Sequence, residues 1–444
     1  MTDFPLPQNA EFVLKRLVLH GFEAFVVGGA VRDFLLGKMP NDFDIATNAT
    51  PEKIKSIFFD CKCFFVGEKF GTITIVFDDG NVEVTTFRRD GDYIDHRHPT
   101  QVEFSNNLID DLSRRDFTIN AMAYGLKTGI VDFFGGQDDL KNKIVKTVGE
   151  PKKRFFEDGL RILRAIRFAS VLDFQVESKT EQAIFEKKSL LKSISAERIF
   201  AEFSKMLLGN GIGHILIDYI DVLGVFLPEI LPMKNFDQHS KHHCHDVLTH
   251  TAIAVQSAPC DLTLRLAMLF HDSGKPATFS IDENDNGHFY GHAKVSKQIA
   301  ISALKRLKAS KNLIQNVAKL VEFHDIEIID DKKHIKRLLS KFGEKFVFDL
   351  IAVQIADNAG QLPLHAERPA QFEHAKQIVK QIVAENDCFS LKKMAINGND
   401  VKSFGYVGKQ IGDVLQKCLN AIVCGNLANK REKLLDYIKN MEKK

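Results

Sequence analysis

The sequence predicts an α+β fold, in which a mixed-sheet domain at the N-terminus is followed by an all-helical body. Short β-branched and aromatic runs, separated by turn residues, fill the chain up to about residue 146. Beyond that point, apolar residues recur at helical spacing and strand patterns nearly disappear. The length of 444 residues is enough for about three domains with cores of their own.

The N-terminal strands follow from apolar runs and the turn residues between them. Residues 25–27 predict a short buried strand, and residues 42–45 predict a second one. Three further strands are expected where β-branched and aromatic residues cluster, at 62–66, 71–77 and 81–88. The Asp-Asp-Gly run at 78–80 predicts a hairpin turn between the last two of these strands.

The helical body follows from apolar positions three and four residues apart. The pattern predicts helices at 155–172 and 195–208, several more over 240–385, and a closing pair at 407–423 and 428–441. The domains that these patterns predict are 1–146, 147–235, 236–385 and 386–444.

The charge balance excludes a global basic field for nucleic acid, because 60 basic and 58 acidic residues give a net charge of +2. Basic residues are concentrated locally: residues 141–210 carry 15 basic against 9 acidic side chains, and the tail 425–444 carries 6 against 3. These stretches predict either contact with RNA phosphates or an ordinary solvated helical face.

Compartment and membrane association are predicted by what the chain does not contain. We find no apolar run of about 18 residues and no secretory signal at the N-terminus, so neither a transmembrane helix nor export is expected. The seven cysteines are scattered, without the spacing of a zinc ribbon or a disulfide framework. The sequence therefore predicts a cytoplasmic protein with no membrane contact.

The strongest local signal is a pair of carboxylates, Asp42 and Asp44, two residues apart in a strand context. Alternation along a strand points both side chains to one face. Such a pair suits Mg²⁺ bound together with substrate phosphates, although an isolated Asp-x-Asp is also common at solvated strand ends. Upstream, Gly28 and Gly29 precede a predicted helix that carries Arg32, an arrangement that lets backbone approach a triphosphate.

Together with further blocks, these residues resemble the class II tRNA nucleotidyltransferases, which are the CCA-adding enzymes, and the related bacterial poly(A) polymerases. The blocks are GGAVRDFLLG (28–37), DFDIAT (42–47), DGDYIDHRHP (90–99), RRDFTINAMAY (114–124), EDGLRILRAIRFA (157–169), ERIFAEFSKML (197–207) and INGNDVKSFGYVGKQIG (396–412). The resemblance covers nearly the whole chain and implies a nucleotidyltransferase-type sheet domain at the N-terminus.

The resemblance also implies the reaction, which is the addition of C, C and A to tRNA from CTP and ATP. Two metal ions would activate the attacking 3′-hydroxyl and stabilise the leaving pyrophosphate, and Asp42 and Asp44 are the natural holders of Mg²⁺. By the same resemblance, Gly28, Gly29 and Arg32 would contact the triphosphate. A third carboxylate from Asp110 or Asp111 stays open on the sequence alone.

The RRDFT block supplies Arg115, Asp116 and Asn120 as further nucleotide-binding residues. Residues 117–124 predict a helix, so Asp116 is a candidate N-cap. The resemblance implies instead that Asp116 or Asn120 holds the ribose and distinguishes it from deoxyribose.

Asp158 and Arg161 lie three residues apart on the predicted helix 155–172, where an intrahelical ion pair is one interpretation. The other is base selection, since a carboxylate and a guanidinium both hydrogen-bond to nucleobase edges. The resemblance implies this second role, in which protein side chains replace a nucleic-acid template. Arg164 and Arg167 continue the basic side of the helix and are expected to hold nucleotide phosphate or RNA backbone.

Residues 89–107 are polar and predict a mobile loop that closes with a short strand. The block at 90–99 lies within it, and the resemblance ties this loop to the switch from C to A addition. Here the loop has His98, where arginine is frequent in the family. Its presence favours addition of the full CCA sequence.

A second constellation lies in the helical body, where nine of the sixteen histidines fall between His239 and His324. Their order resembles the HD phosphohydrolase superfamily. That pattern implies a metal site of His250, His271, Asp272 and Asp357, with His292 and His324 matching the extra ligands of two-metal members. Imidazole and carboxylate together suit a divalent transition metal. We expect a helical HD domain with phosphohydrolase activity on small nucleotides, or one retained for structure.

The alternatives to full CCA addition are a poly(A) polymerase, an enzyme that adds only CC or only A, and an HD phosphohydrolase whose N-terminal domain merely binds nucleotide. A pure RNA-binding module is disfavoured by the paired carboxylates. The expected partners are tRNA, CTP and ATP.

Overall fold

The computed structural model describes residues 4–40, 42–65, 70–91, 101–239, 245–284, 286–361 and 368–441. The chain divides into two compact units, Met1–Pro228 and Glu229–Lys444. Sequence patterns predict a sheet domain followed by helices, and this order is confirmed.

A seven-stranded mixed sheet forms the first unit's framework. Its strands in spatial order are β3 (Cys63–Phe64), β4 (Thr72–Phe77), β5 (Gly80–Thr86), β2 (Asp44–Thr47), β1 (Ala24–Val27), β8 (Met122–Gly125) and β9 (Gly129–Asp132). Among the strand pairs described in this seven-stranded sheet, β2–β5 is parallel and the others are antiparallel. All four residues of β1 are buried, as expected for a central strand between two neighbours.

Two small two-stranded sheets accompany this framework. They are the antiparallel pair β6 (Arg88–Asp90) and β7 (Val102–Phe104), and the parallel pair β10 (Ile144–Val145) and β11 (Gln175–Val176). The predicted hairpin at 78–80 is confirmed: it joins β4 to β5, and Gly80 has a φ of 138° that favours glycine.

The helices of the first unit lie before, between and after the strands. They are α1 (Gln8–Leu19), α2 (Gly29–Leu35), α3 (Pro51–Ile57), α4 (Leu108–Ser113), α5 (Gly136–Lys141), α6 (Pro151–Glu157), α7 (Leu160–Leu172), α8 (Ser178–Lys187), α9 (Ala196–Leu207), α10 (Ile212–Asp218) and α11 (Ile220–Leu223). An apolar cluster packs the sheet against α4, with Phe25, Phe87 and Leu112 among its buried members.

Three sequence predictions for this unit need correction. The expected helix at 117–124 is a short 3₁₀ turn, Thr118–Asn120, followed by β8, because residues 122–125 pair with both β1 and β9. The expected helix at 155–172 is broken at Asp158, where the backbone is extended. The strand expected from residue 42 begins at Asp44.

The second unit is helical apart from one small hairpin, β12 (Ser280–Ile281) and β13 (Gly287–His288). Its helices are α12 (Val247–Ser257), α13 (Leu262–Phe270), α14 (Lys275–Thr278), α15 (His292–Arg306), α16 (Lys311–Phe323), α17 (Lys332–Phe342), α18 (Glu344–Ala359), α19 (Arg368–Ala384), α20 (Gly398–Lys402), α21 (Lys409–Val423) and α22 (Arg431–Met441). The predicted closing pair of helices is confirmed as α21 and α22.

Two apolar clusters stabilise the end of this unit. One is built from α17, α18 and α19, and the other from the segment after α19 together with α21 and α22. Within the described ranges, no helix is long and apolar enough to cross a membrane. No disulfide links the six cysteines that the structure describes.

Candidate active site

A cavity of about 360 Å³ in the first unit gathers most of the side chains singled out from the sequence. We call it the arginine-rich cavity. Its lining residues are Gly28, Gly29, Arg32, Asp44, Arg114, Arg115, Asp116, Asn120, Asp158, Arg161, Arg164 and Phe168. Residues from four separate sequence blocks therefore meet at one place.

Gly28 lies between β1 and α2 and lines this cavity. Its φ of 77° is in the left-handed region, and a Cβ atom there would lie 2.9 Å from Arg115 Nη1. Any side chain at this position would strain the backbone and displace the arginine. The glycine thus lets a guanidinium and the start of α2 approach each other closely.

A chain of hydrogen bonds runs along one wall of the cavity. Arg32 Nη1 donates to Asn120 Oδ1 at 2.7 Å, and Asn120 Nδ2 donates to Asp116 Oδ1 at 3.1 Å. Arg164 Nε donates to the other oxygen of Asp116 at 2.7 Å. Asp116 is therefore a buried connector between α7 and the 3₁₀ turn, and the helix that it was a candidate to cap does not form.

The charge state of Asp116 follows from these partners. Burial alone would raise the pKa of Asp116, but the Arg164 guanidinium and the Asn120 amide lower it. Because the pKa in the folded chain is lower than in the unfolded chain, the ionised pair stabilises the fold at neutral pH. That contribution is lost as the pH falls through the folded-state pKa.

Asp116→Ala is expected to reduce the free energy of unfolding by about 2–3 kcal/mol, because it leaves Arg164 without its carboxylate. This is less than for a fully buried pair, since the Arg164 side chain is 33% exposed. Urea unfolding followed by circular dichroism measures the change. The control Asp138→Ala, at an exposed position on α5, should stay within about 0.5 kcal/mol of the parent chain. Equal stability of the two variants would contradict the prediction.

The buried carboxylate of Asp111 holds two further arginines of the cavity, Arg114 and Arg115, in place. Asp111 accepts from Arg114 Nε at 3.0 Å and from Arg115 Nη2 at 3.1 Å, and its side chain is fully buried. Burial alone would raise the pKa of Asp111, but the two arginines lower it. Asp110 pairs instead with Arg89, at 2.9 Å. Neither aspartate lines the cavity, so a third carboxylate has to come from elsewhere.

A further carboxylate, Glu83, lies beside Asp44, and sequence reasoning did not identify it. The parallel register of β2 and β5 places Glu83 beside Asp44. Desolvation raises the pKa of Glu83, and the charges of Asp44 and Asp42 raise it further. Alternation along β5 marks Glu83 as outward-facing, but only the pairing of β5 with β2 brings it to the site.

The carboxylates repel one another, as expected for a site that takes a cation. Desolvation raises the pKa of Asp44, the Arg115 charge opposes this, and the Asp42 charge adds to it. Asp44 lines the arginine-rich cavity, whereas Asp42 lines a neighbouring cavity. Asp44 and Glu83 lie on the neighbouring central strands β2 and β5, and Asp42 lies just before β2, so the three offer the oxygen ligands that Mg²⁺ prefers.

Asp158 and Arg161 are held by different partners. In the break between α6 and α7, Asp158 accepts from the Leu160 backbone N–H and from Arg198 Nη2, each at 3.0 Å. Arg161 donates to Glu157 and, at 3.1 Å, to the Arg114 carbonyl. The intrahelical ion pair is thus wrong as an account of these residues, and both side chains line the cavity.

Phe168 was also missed from the sequence, where it reads as core. Its ring lies 5.1 Å from the guanidinium carbon of Arg32, 5.6 Å from that of Arg164 and 3.9 Å from that of Arg167. Arg167 does not line the cavity: its Nε is 2.6 Å from Glu202 Oε2. One aromatic ring therefore orients three of the predicted arginines.

The loop block at 90–99 lies largely outside the described residues, which include only Asp90 and Gly91 of it. Asp90 pairs with Arg88 at 3.1 Å and approaches Arg114 Nη1 at 3.9 Å. The base of the loop is thus next to an arginine of the cavity.

A second cluster of ligand-type side chains lies in the second unit, and we call it the histidine cluster. It consists of His250 on α12, His271 and Asp272 after α13, His292 on α15, His324 after α16 and Asp357 on α18. All six are residues that the sequence singled out.

The geometry of the histidine cluster has Asp272 at its centre. His250 Nε2 lies 3.2 Å from His271 Nε2 and 2.9 Å from Asp357 Oδ1. His292 Nε2 lies 3.5 Å from Oδ1 of Asp272. Two ligand triads, His250–His271–Asp272 and Asp272–His292–His324, share this carboxylate.

The histidine rings are oriented by backbone carbonyls. In His250, His271, His292 and His324, Nδ1 lies 3.1, 2.6, 3.0 and 2.8 Å from a carbonyl oxygen. In each ring the Nδ1 contact turns Nε2 toward the other members of the cluster, which is the arrangement of metal-binding imidazoles. The donor set therefore fits a divalent transition metal.

Two carboxylates and a lysine set the charge around the imidazoles of the cluster. Burial alone would lower the pKa of His271, but Asp272 and Asp357 raise it to about 10. Lys275 Nζ lies 2.7 Å from Asp272 Oδ2 and donates to Gln238 at 2.8 Å. This lysine was not anticipated from the sequence.

Three family models match the chain over separate ranges. Residues 24–146 match "Poly A polymerase head domain", residues 173–232 match "Probable RNA and SrmB- binding site of polymerase A", and residues 288–438 match "tRNA nucleotidyltransferase domain 2 putative".

Several curated relatives are similar over almost their whole length. The CCA-adding enzyme of Staphylococcus epidermidis is 31% identical over 441 residues, which cover 97% of each chain. The CCA-adding enzyme of Enterococcus faecalis is 35% identical over 440 residues, covering 98% of this chain and 97% of the relative.

Solved structures show the same fold. The CCA-adding enzyme of Bacillus stearothermophilus in complex with CTP is 27% identical, with a TM-score of 0.72, over 98% of this chain and 97% of that one. The CCA-adding enzyme of Thermotoga maritima complexed with tRNA has a TM-score of 0.62 at 21% identity, over 99% of this chain and 97% of that one.

Proposed function

The chain belongs to the family of CCA-adding enzymes, and from that premise we propose that it adds C, C and A to the 3′ end of tRNA from CTP and ATP. Its substrates would be those that relatives carry in solved complexes, CTP and tRNA among them. The scattered cysteines, with no disulfide among those that the structure describes, fit a reducing compartment, so we place the reaction in the cytoplasm.

The observation that carries this proposal is the composition of the arginine-rich cavity. Five arginines line it together with Asp44. Gly28, just before α2, leaves the space that a side chain would fill. Guanidinium groups suit the phosphates of a nucleoside triphosphate, and they hold them without a covalent intermediate. A carboxylate beside them supports chemistry at the α-phosphate.

Asp42, Asp44 and Glu83 would hold Mg²⁺ where β2 begins beside β5. When bound there, the metal ions would lower the pKa of the attacking hydroxyl and neutralise charge on the phosphates. The role of the protein is to keep the three carboxylates together against their mutual repulsion, while Arg115 offsets part of that repulsion. Arg32, Arg115 and Arg164 would orient the triphosphate.

Base selection is proposed for Asp158 and Arg161. Arg198 and Glu157 fix the two side chains from outside the cavity, so that their remaining polar groups keep a set orientation. A base that left these groups unpaired would bind less tightly, by about 1–3 kcal/mol for each unsatisfied group. The selection of C and A would then come from protein side chains, with no nucleic-acid template.

The proposal is tested with three tRNA transcripts, ending before CCA, after C and after CC. Each is incubated with Mg²⁺ and CTP, ATP or both, and the products are resolved at single-nucleotide length. We expect two C additions, then one A, and then arrest. A stop at CC, addition of A only, or a long A tail would assign the sibling activities, and no incorporation from either nucleotide would contradict nucleotidyl transfer.

Phe168→Leu is expected to raise the KM for CTP about 5-fold, since it removes the cation–π contacts of the two arginines that line the cavity, Arg32 and Arg164, worth roughly 0.5 kcal/mol each. Steady-state kinetics with a saturating RNA acceptor measures this. Phe203→Leu is the matched control, because Phe203 is fully buried and packs on Phe226 at 5.4 Å. That control should lose similar stability but keep its KM. Equal changes in KM for both variants would assign Phe168 to packing alone.

We propose phosphohydrolysis as a second activity, located in an HD domain built around the histidine cluster. Two ligand triads sharing Asp272, with four imidazoles oriented by carbonyls, support it. A bound transition metal would supply hydroxide near neutral pH. The substrate class would be small nucleotides, such as 2′,3′-cyclic nucleoside monophosphates.

A further inference from the structure

A groove in the second unit encloses a cavity of about 750 Å³ that neither proposed activity uses. It lies between α15 and α16, which are joined by residues 307–310 and run antiparallel, since Lys297 of α15 pairs with Glu322 of α16 at 2.7 Å. We call it the lysine groove. Its lysines are Lys297, Lys305, Lys308, Lys311 and Lys319. The volume is in the range of pockets that hold one small molecule.

The floor of the lysine groove is apolar. Ile301 of α15 lines it together with Ile314 and Ala318 of α16, and the last two are buried. Gln315 also lines the groove, with an amide that can both donate and accept hydrogen bonds. Such a floor suits an uncharged ring better than bare phosphates, because a charge placed against isoleucine loses water without gaining a partner.

The uncompensated positive charge lies at one end of the groove, where α15 turns into α16. Glu322 compensates the charge of Lys297, and Lys319 Nζ lies 4.2 Å from the ring centroid of Phe346. The lysines of the groove that form no ion pair within the described ranges are Lys305, Lys308 and Lys311. Because all three are exposed, their ammonium groups are available to an anionic ligand.

Lys308 occupies a backbone position at which glycine is usual. The backbone N–H of Ala309 donates to the Leu304 carbonyl at 3.0 Å, and that of Lys308 donates to the Lys305 carbonyl at 3.1 Å. These two bonds form the Schellman motif that ends α15. The φ of Lys308 is 60°, in the left-handed region, so its side chain strains the backbone. Local backbone preference therefore does not explain a lysine here.

Lys311 is unfavourable for a different reason. It is the first residue of α16, where the positive end of the helix dipole disfavours a cation. Lys305 and Lys308 add two more positive charges at the same end of the groove. An anion bound among the three ammonium groups would offset both the dipole and their mutual repulsion.

We propose that the lysine groove binds a nucleoside diphosphate or triphosphate, at a site separate from the arginine-rich cavity. The phosphates would lie among Lys305, Lys308 and Lys311, and the base against Ile301 and Ile314. Lysine is a common phosphate ligand, and three ammonium groups match the charge of such a ligand. The apolar floor favours a free nucleotide over the backbone of an RNA helix, which presents no ring to it. The proposal depends on neither nucleotidyl transfer nor phosphohydrolysis.

The test is hydrogen exchange of the full-length protein, followed by mass spectrometry, with ADP and GDP as probes. We expect both nucleotides to slow exchange in peptides from 300–316 until the site is saturated. Lys308→Gly and Lys311→Glu should each raise the concentration for half-maximal protection about 10-fold. Both changes suit the fold, because glycine relieves the positive φ and glutamate favours a helix start. Reduced protection would therefore report lost binding rather than unfolding.

Two matched controls make the same kinds of change outside the groove. Asn386→Gly replaces another residue with a positive φ, of 51°, and Lys433→Glu reverses a charge in the first turn of α22. Both should leave half-maximal protection of 300–316 within about 2-fold of the parent chain. Peptides that line the arginine-rich cavity are an internal reference, and their response to the nucleotides should be the same in all variants.

Pyrophosphate and adenosine each carry one half of the ligand, and each should bind the groove at least about 10-fold more weakly than ADP. Protection by ADP that survived both groove variants would overturn the proposal, and so would a lack of protection of 300–316 by both nucleotides. Pyrophosphate binding as tight as that of ADP would contradict the role of the apolar floor. Protection by a tRNA acceptor minihelix in place of the nucleotides would assign the groove to RNA and overturn the proposal.

Discussion

Asp44→Asn is expected to slow nucleotide addition by at least about 1,000-fold, the largest effect of any single substitution in the first unit. The change keeps the size and the hydrogen-bonding capacity of the side chain and removes only its charge. Asp44 is the carboxylate that lines the cavity with the arginines and also pairs in register with Glu83. Its loss would therefore remove a proposed metal ligand and one of the two carboxylates near Arg115, which would keep its pair with Asp111.

The same substitution should leave the fold intact or make it more stable. The pKa of Asp44 is raised in the folded chain, chiefly by desolvation, so the ionised form is disfavoured by folding at neutral pH. Removing the charge relieves that cost. Loss of activity together with unchanged or increased resistance to urea would distinguish a catalytic role from a structural one.

Single-turnover rates with CTP and a C-accepting minihelix measure the effect, and Asp138→Asn serves as the exposed control on α5. Glu83→Gln should give a smaller loss, of about 10- to 100-fold, because Asp42 and Asp44 would remain to bind the metal. Addition by Asp44→Asn within about 10-fold of the parent rate would contradict the assignment of this carboxylate.

The sequence predicted the mixed sheet, the helical body and most of the residues around the arginine-rich cavity, because these depend on local patterns. β8 was mistaken for a helix because its four residues, Met, Ala, Tyr and Gly, contain no β-branched side chain, and only their pairing with β1 and β9 makes them a strand. The sequence did not show the break at Asp158, because apolar residues recur at helical spacing on both sides of it. Next to the break, Gly159 allows Leu190 to pack closely, since a Cβ there would lie 3.1 Å from Leu190 Cβ.

The residues that were missed act through partners distant in sequence. Glu83 reaches Asp44 through the register of two parallel strands, and Arg198 reaches Asp158 from a different helix. Phe168 looks like an ordinary core residue until three arginines are seen around its ring. A pattern of residue types along one chain does not contain such contacts, because they depend on how elements pack.

Asp272→Asn is expected to reduce metal-dependent hydrolysis of 2′,3′-cyclic AMP by at least about 100-fold, while CCA addition stays unchanged. Asp272 is the only member shared by the two ligand triads found among the described residues, so its loss weakens both at once. The asparagine also removes the charge that faces Lys275 Nζ at 2.7 Å. Asp325→Asn is the matched control, at an exposed position beside His324.

Two measurements decide what the histidine cluster does. Hydrolysis is assayed with Mn²⁺, Co²⁺ and Ni²⁺, and thermal unfolding is followed with the same ions, since a bound metal stabilises the folded chain in proportion to the logarithm of its saturation. Metal-dependent stabilisation and hydrolysis that are both lost in Asp272→Asn would support a working phosphohydrolase. Stabilisation without hydrolysis would make the metal structural, and hydrolysis that survived the substitution would place its source outside this cluster.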